Sequence, residues 1–193
     1  MLNNLANKKI LLASQSPRRH ELLKGIDIEF DIIAAGGIDE IFPENIPIND
    51  VPIFLAKEKA KAFANFIQEN TILITADTIV KCKNNILNKP KDRNDAINML
   101  KKLSGKKHKV ITGVCISSIN KNKCFKATSK VYFNKLTDRE IEYYIDKYKP
   151  FDKAGSYGIQ EWIGFIAIKK IKGSFYNVMG LPIQKLYKEL QKF

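Results

Sequence analysis

A strand-like run, Ile10-Leu11-Leu12-Ala13, breaks into Ser14-Gln15-Ser16 and restarts at Pro17 as a helical stretch, Arg18-Arg19-His20-Glu21-Leu22-Leu23-Lys24, closed by Gly25. Proline suits a first helical position, where its missing N–H would have no partner anyway, and glycine commonly follows the last turn. A strand that turns into a helix through small polar residues aims unpaired backbone N–H groups, and the positive end of the helix dipole, at the intervening loop. Arg18 and Arg19 add two guanidiniums there, although only four of the 33 basic residues are arginine. Arginine offers a planar fork that grips phosphate oxygens where lysine offers a mobile point charge. The run Leu12–Arg19 is therefore where a phosphate would bind. Taken alone, it would equally be a solvated helix start.

The chain has 193 residues, 45% of them hydrophobic, enough to bury a core as a single domain over 1–193, or as one domain with an inserted subdomain. No apolar run approaches the roughly 20 residues that span a bilayer, and Met1–Lys9 lacks the apolar centre of a signal peptide, so a cytoplasmic location is expected. Cys82, Cys115 and Cys124 are odd in number and form no C-x-x-C pair, which argues against a disulfide framework or a zinc site. His20 and His108 lie too far apart for a metal motif and are expected at the surface or behind a site. A net charge of +13 favours a polyanionic partner: a nucleotide, a nucleic acid or an anionic membrane surface. Lysines on solvated faces account for much of it. No basic stripe interleaved with aromatics argues for a stable nucleic-acid complex or for membrane attachment.

Elements alternate without repeats. Ile28–Ala34 reads as a strand, followed by a loop of Gly36, Gly37, Asp39 and Glu40. Residues 50–67 read as a helix that begins at Asp50, uses Phe54, Leu55, Ala62, Phe63 and Phe66 as its apolar face, and carries Lys57 and Lys59. Thr71–Ala76 reads as a buried strand ending at Asp77-Thr78, before a hairpin over 79–89. Asp92 caps a helix to about Leu103, with Ala96, Met99, Leu100 and Leu103 on its apolar face. Val110–Ile119 and Cys124–Phe133 are strands, Thr137-Asp138-Arg139-Glu140 is a capping box, Phe165–Ile171 a further strand, and Pro182 opens a last helix. The pattern is that of a mixed α/β domain.

Asp77, a carboxylate beyond a buried strand, suits metal binding or activation of water, and equally a turn cap. Glu40 is a loop acid, while Lys59 and Lys89 could complement phosphate charge or be two surface lysines among many. Gln160, after Tyr157-Gly158-Ile159, can donate and accept, so it could read a base edge or be an ordinary loop amide. Trp162, Phe175 and Tyr176 could stack on a base or fill a core or rim.

In order along the chain stand Leu12–Arg19, Leu55-Ala56-Lys57-Glu58-Lys59-Ala60, Ala76-Asp77-Thr78-Ile79-Val80, Leu87-Asn88-Lys89-Pro90, Met99–Gly105, Asp152–Gln160 and Asn177–Pro182. Together they resemble the Maf family of nucleoside triphosphate pyrophosphatases. The resemblance implies an α/β fold of the Maf/ITPase type, a mixed twisted sheet flanked by helices with the active site in a cleft between two lobes. It implies hydrolysis of a triphosphate to monophosphate and pyrophosphate with a divalent cation, Mg²⁺ or Mn²⁺, and a homodimer as the family expectation. Asp77 falls on the proton acceptor. Glu40 and Lys89 join it as catalytic positions, with Asp77 and Glu40 also the metal ligands. Ser14, Arg18, Arg19, Lys59, Thr78 and Gln160 fall on substrate-binding positions. The Tyr157-Gly158-Ile159-Gln160 form is similar to the branch acting on dTTP and UTP. Two departures stand out: Gly36–Glu40 replaces a more acidic stretch, and Glu161-Trp162 replaces a small glycine-containing segment and would alter the base pocket. A non-enzymatic nucleic-acid-binding or cell-division regulator is the alternative. House-cleaning hydrolysis of modified purine triphosphates is a second enzymatic one.

Overall fold

The structure, a computed structural model, describes residues 2–33 and 41–193. Glu40 and the other residues of the Gly36–Glu40 loop fall outside that range, as does the end of the strand expected to reach Ala34. The elements run β1 (Lys9–Ala13), α1 (Pro17–Lys24), β2 (Asp31–Ile33), α2 (Val51–Ala62), β3 (Thr71–Cys82), β4 (Asn85–Leu87), α3 (Arg93–Leu103), β5 (Lys107–Ser117), β6 (Asn122–Phe133), α4 (Asp138–Tyr148), α5 (Trp162–Ala167), β7 (Ile168–Lys172), α6 (Phe175–Met179) and α7 (Ile183–Leu190). The strands form a seven-stranded sheet in the order β2-β1-β3-β5-β6-β7, with β4 on β3. β1 runs parallel to both β2 and β3, whereas β4 on β3 and β7 on β6 are antiparallel, so the sheet is mixed as expected.

Packing divides the chain into two compact units: Met1–Asp77 with Thr112–Ala127 and Gly180–Phe193, and Thr78–Ile111 with Thr128–Met179. In the first, Leu11 and Ala13 of β1 and Leu73 of β3 bury against Phe63, with Ile33 and Ile67 packed on them. α7 contributes Ile183, Leu186 and Leu190, spaced to share one helical face. Gly113 on β5 is required by a close approach: a Cβ there would overlap the backbone of Pro52 and Ile53 at the start of α2. In the second unit, α3 buries Ala96, Met99, Leu100 and Leu103, and α4 buries Ile141, Tyr144 and Ile145. Arg93 grips Asp146 in bidentate fashion at 2.7 and 2.9 Å, joining the exposed sides of these two helices.

The caps of α3 and α4 form as expected. Asp92 accepts from the Asp95 N–H at 2.8 Å, and Thr137 and Glu140 complete a reciprocal capping box. Four local expectations are corrected. β3 does not end at Asp77 but runs through it to Cys82, because no glycine or proline interrupts the β-branched run and the carboxylate finds a charged partner. The expected strand at 165–171 begins as the short helix α5, whose Gly164 packs against the Ile159 carbonyl, and becomes β7 only at Ile168. α2 stops at Ala62 before a 3₁₀ turn, and its buried face is Val51, Pro52, Leu55, Ala56, Lys59 and Ala60, while Phe66 is exposed. Asp50 makes no side-chain cap; its carboxylate takes the Lys126 ammonium instead.

The cysteines also depart from expectation, since Cys115 and Cys124 form a disulfide with Cα atoms 4.1 Å apart. They face one another from β5 and β6, a proximity that sequence spacing does not reveal. Cys82 is free and buried. No helix among the described residues is long and apolar enough to cross a membrane.

Candidate active site

Asp77 sits in the middle of β3, 5% exposed, in a strand otherwise built from apolar residues and threonine up to that point. Lys59, 9% exposed, reaches it from α2, its Nζ donating to Asp77 Oδ1 at 2.6 Å. Two residues earlier on the same strand face, Thr75 Oγ1 donates to the Ala56 carbonyl at 2.7 Å. A strand repeats every two residues and a helix about every three or four, so Thr75 and Asp77 meet Ala56 and Lys59 in register. A buried carboxylate is tolerated only when its charge is compensated, and Lys59 provides that compensation.

The strand-to-helix turn after β1 forms as the sequence predicts, with Pro17 at the first helical position. Ser14 is buried, and its Oγ accepts from the Ser16 N–H and from Arg19 Nη1, both at 3.3 Å. Arg19 Nη1 also donates to the Ala76 carbonyl at 2.8 Å, and its Nε donates to the Gly180 carbonyl at 2.9 Å. Arg19 thus braces the turn against the residue preceding Asp77. His20 lies within 2.7 Å of the Ser14 carbonyl; a carbonyl can only accept, so His20 Nε2 carries the proton. Arg18 is half-buried. Ser14, Arg19, Lys59 and Asp77 are therefore linked by contacts within the first unit.

Thr78, Lys89 and Gln160 belong to the second unit. Thr78 is half-buried on β3, and Lys89 is exposed just before the buried Pro90. Gln160 stands at the tip of a turn closed by the Glu161 N–H donating to the Gly158 carbonyl at 3.1 Å. Its Oε1 is buried and has no hydrogen-bond partner among the described residues. An orphaned buried acceptor invites a donor from a ligand. The backbone leading into this turn passes through Gly155 at φ +69° and Ser156 at φ +60°, and left-handed geometry at a non-glycine residue marks stored strain.

Beneath the turn, the Gly158 N–H donates to Tyr144 Oη at 3.0 Å, Tyr144 Oη donates to Glu161 Oε2, and Lys153 Nζ lies 3.1 Å from Glu161 Oε1. Burial, with the Glu161 carboxylate beside it, drives the Tyr144 hydroxyl well above the usual phenol range, so it remains a donor. Nearby, His108, Phe133 and Tyr157 pack edge to face, with His108 Nε2 2.8 Å from Tyr157 Oη. His108 is buried, not at the surface; burial lowers its pKa to about 3 and pushes the Tyr157 hydroxyl up. The neutral imidazole and the protonated phenol therefore share one buried hydrogen bond.

Tyr144 and Lys153 were not among the sequence candidates. Tyr144 shares the apolar face of α4 with Ile141 and Ile145, a signal that reads as core alone. No group of three or more His, Cys, Asp or Glu side chains suited to a metal ion exists among the described residues. Asp77 is a hard oxygen donor of the kind Mg²⁺ accepts, and it fits a cation whose remaining ligands come largely from a phosphate chain.

Fold and site define an α/β protein with a compensated buried carboxylate beside an arginine-braced strand-to-helix turn. The chain belongs to the family described as Maf-like protein, whose pattern it matches over residues 9–193. It is 53% identical over 193 residues to a dTTP/UTP pyrophosphatase of Parabacteroides distasonis, covering all of both chains. It is 51% identical over 192 residues to one of Phocaeicola vulgatus, again covering all of both chains. A third, from Porphyromonas gingivalis, is 53% identical over 195 residues, covering all of this chain and 98% of that one. Among solved structures, a HAM1 protein from Coxiella burnetii aligns with a TM-score of 0.49 and 13% identity, over 96% of this chain and all of that one, a likeness too low to argue from.

Proposed function

We propose that this protein is a cytoplasmic nucleoside triphosphate pyrophosphatase that converts dTTP and UTP to the monophosphate and pyrophosphate. The observation that carries the reading is the buried Asp77–Lys59 pair in mid-strand, in a chain half-identical along its whole length to dTTP/UTP pyrophosphatases. Water attacks the α-phosphorus while Asp77 takes its proton; the bond from that phosphorus to the bridging oxygen breaks, and pyrophosphate departs with the electron pair. Arg18, Lys59 and Lys89 offset the charge that develops on it. Ser14 Oγ already accepts twice, so its own proton serves a phosphate oxygen. Arg19 holds Ser14 and the backbone beside Asp77 in place. A divalent cation held by Asp77 and Glu40, when bound, supplies further neutralisation of the triphosphate.

Base choice falls to Gln160 with Thr78. The orphaned Oε1 accepts from the N3–H of uracil or thymine, and the adjacent amide donates to O4. The relatives offer no support for a nucleic-acid-binding or division-regulating role. Pyrophosphate release from dTTP, UTP, CTP, ATP, GTP and 7-methyl-GTP, with and without Mg²⁺, tests the reading. Asp77→Asn is expected to lower turnover by about 10²- to 10⁴-fold in protein whose folding under the assay conditions is checked by circular dichroism. Full activity in that variant, or preference for 7-methyl-GTP, would overturn it.

A further inference from the structure

We propose that Glu161 is a specificity-positioning residue: acting through Tyr144 and Lys153, it fixes the 158–161 turn and so sets the orientation in which Gln160 meets the base. The inference rests on Gln160 being the base reader. Its independent ground is a closed circuit of contacts. The Glu161 N–H closes the turn onto the Gly158 carbonyl, while the Glu161 carboxylate folds back to accept from Tyr144, whose oxygen in turn receives the Gly158 N–H. Lys153, 8% exposed, compensates the carboxylate from its other oxygen and also reaches Asp152 at 2.7 Å.

Glycines on either side of the tip show how tightly it is held. A Cβ on Gly158 would lie 2.6 Å from the Glu161 Cδ and 2.9 Å from each carboxylate oxygen. A Cβ on Gly164 would overlap the Ile159 carbonyl, so the start of α5 rests directly on the turn's backbone. The bonds from Tyr144 and Lys153 hold Gly158 and Glu161, on either side of Gln160, and none of them uses its side chain. The backbone that carries the carboxamide is thereby fixed, while its buried Oε1 has no hydrogen-bond partner among the described residues.

A partly buried ionic cluster of this kind, with Lys153 inside and the Glu161 and Asp152 side chains 19% and 56% exposed, adds little stability; what it supplies here is a single geometry. An amide can present either its oxygen or its nitrogen to a base, and uracil and cytosine differ in that very pattern of donors and acceptors. A turn free to rock would blur the distinction. Glu161 is thus a discriminating element that never touches the substrate.

The test compares the whole protein with Glu161→Gln, Tyr144→Phe, Gln160→Ala and the Gln160→Ala/Glu161→Gln double variant, measuring kcat and KM for UTP, CTP and GTP alongside urea midpoints. Glu161→Gln is expected to lower the UTP-to-CTP ratio of kcat/KM by about tenfold, mainly through KM, and Tyr144→Phe to move it the same way. The double variant should discriminate no worse than Gln160→Ala alone. If Gln160→Ala shifts the ratio while Glu161→Gln and Tyr144→Phe change only the urea midpoint, the positioning role is overturned and the base reader stands. An unmoved ratio in Gln160→Ala overturns both.

Discussion

Replacing Lys59 by methionine isolates what the ion pair at the centre of the site contributes. Methionine keeps the length and apolar character of the lysine stem, so α2 retains its packing and the Thr75–Ala56 bond is untouched. What disappears is the ammonium 2.6 Å from Asp77 Oδ1, with both side chains close to fully buried. Removing one member of such a pair leaves a buried charge uncompensated and costs about 3–5 kcal/mol. For a chain of this size each kcal/mol lowers Tm by about 2–4 °C, so the variant should melt roughly 6–20 °C earlier. Urea titration followed by far-ultraviolet circular dichroism measures the loss, with an unchanged slope showing that the unfolded state is unaltered. Adding Asp77→Asn removes the stranded charge, and the double variant should recover about half of the loss or more. A cost below about 1 kcal/mol for Lys59→Met, together with simple additivity in the double variant, would refute charge compensation as the reason Asp77 is tolerated in mid-strand.

Acidification should unfold the protein through His108. Its folded pKa of about 3 lies below the ordinary value of 6.5, so the unfolded chain binds the extra proton between those limits and stability falls as pH drops through that window. Chemical denaturation at pH 6 and pH 4 should differ by about 2 kcal/mol from this group, and His108→Phe should flatten that contribution. Gly113→Ala, which forces a methyl into the backbone of Pro52 and Ile53, should destabilise by about 1–3 kcal/mol, read from the urea midpoint. Reducing the Cys115–Cys124 disulfide, which spans nine positions, should cost about 2–3 kcal/mol, and a Cys115→Ser/Cys124→Ser variant should not respond to the reductant.

Features encoded over three or four neighbouring residues were legible in the sequence. Pro17, Asp92 and the Thr137–Glu140 box act within one turn of chain, and each sits at a helix start as expected. What escaped depends on contacts remote in sequence. β3 carries Asp77 in its buried interior with Lys59, 18 residues earlier, answering its charge. The disulfide needs β5 and β6 to turn back on each other, and α5 forms where the expected strand pattern began because Gly164 can lie on the Ile159 carbonyl. Within the candidate site, Lys59 reads as one lysine among many until burial singles it out. Arg19 reads as a phosphate ligand, and its bonds to the Ala76 and Gly180 carbonyls give it a bracing role that no local pattern encodes. Family resemblance supplied the common identity of these positions; the contacts among them came from the fold.

β7 is the last strand in the sheet order, and its sequence Ile168-Lys169-Lys170-Ile171-Lys172 leaves all three lysines exposed. An outermost strand offers a row of unsatisfied backbone groups to any other extended chain, including another copy of itself. Three ammonium groups along that margin repel a second copy before its backbone can align. Part of the positive charge that first pointed to anionic partners thus lies along a strand paired to β6 at the end of the sheet order, where it disfavours pairing with another extended chain.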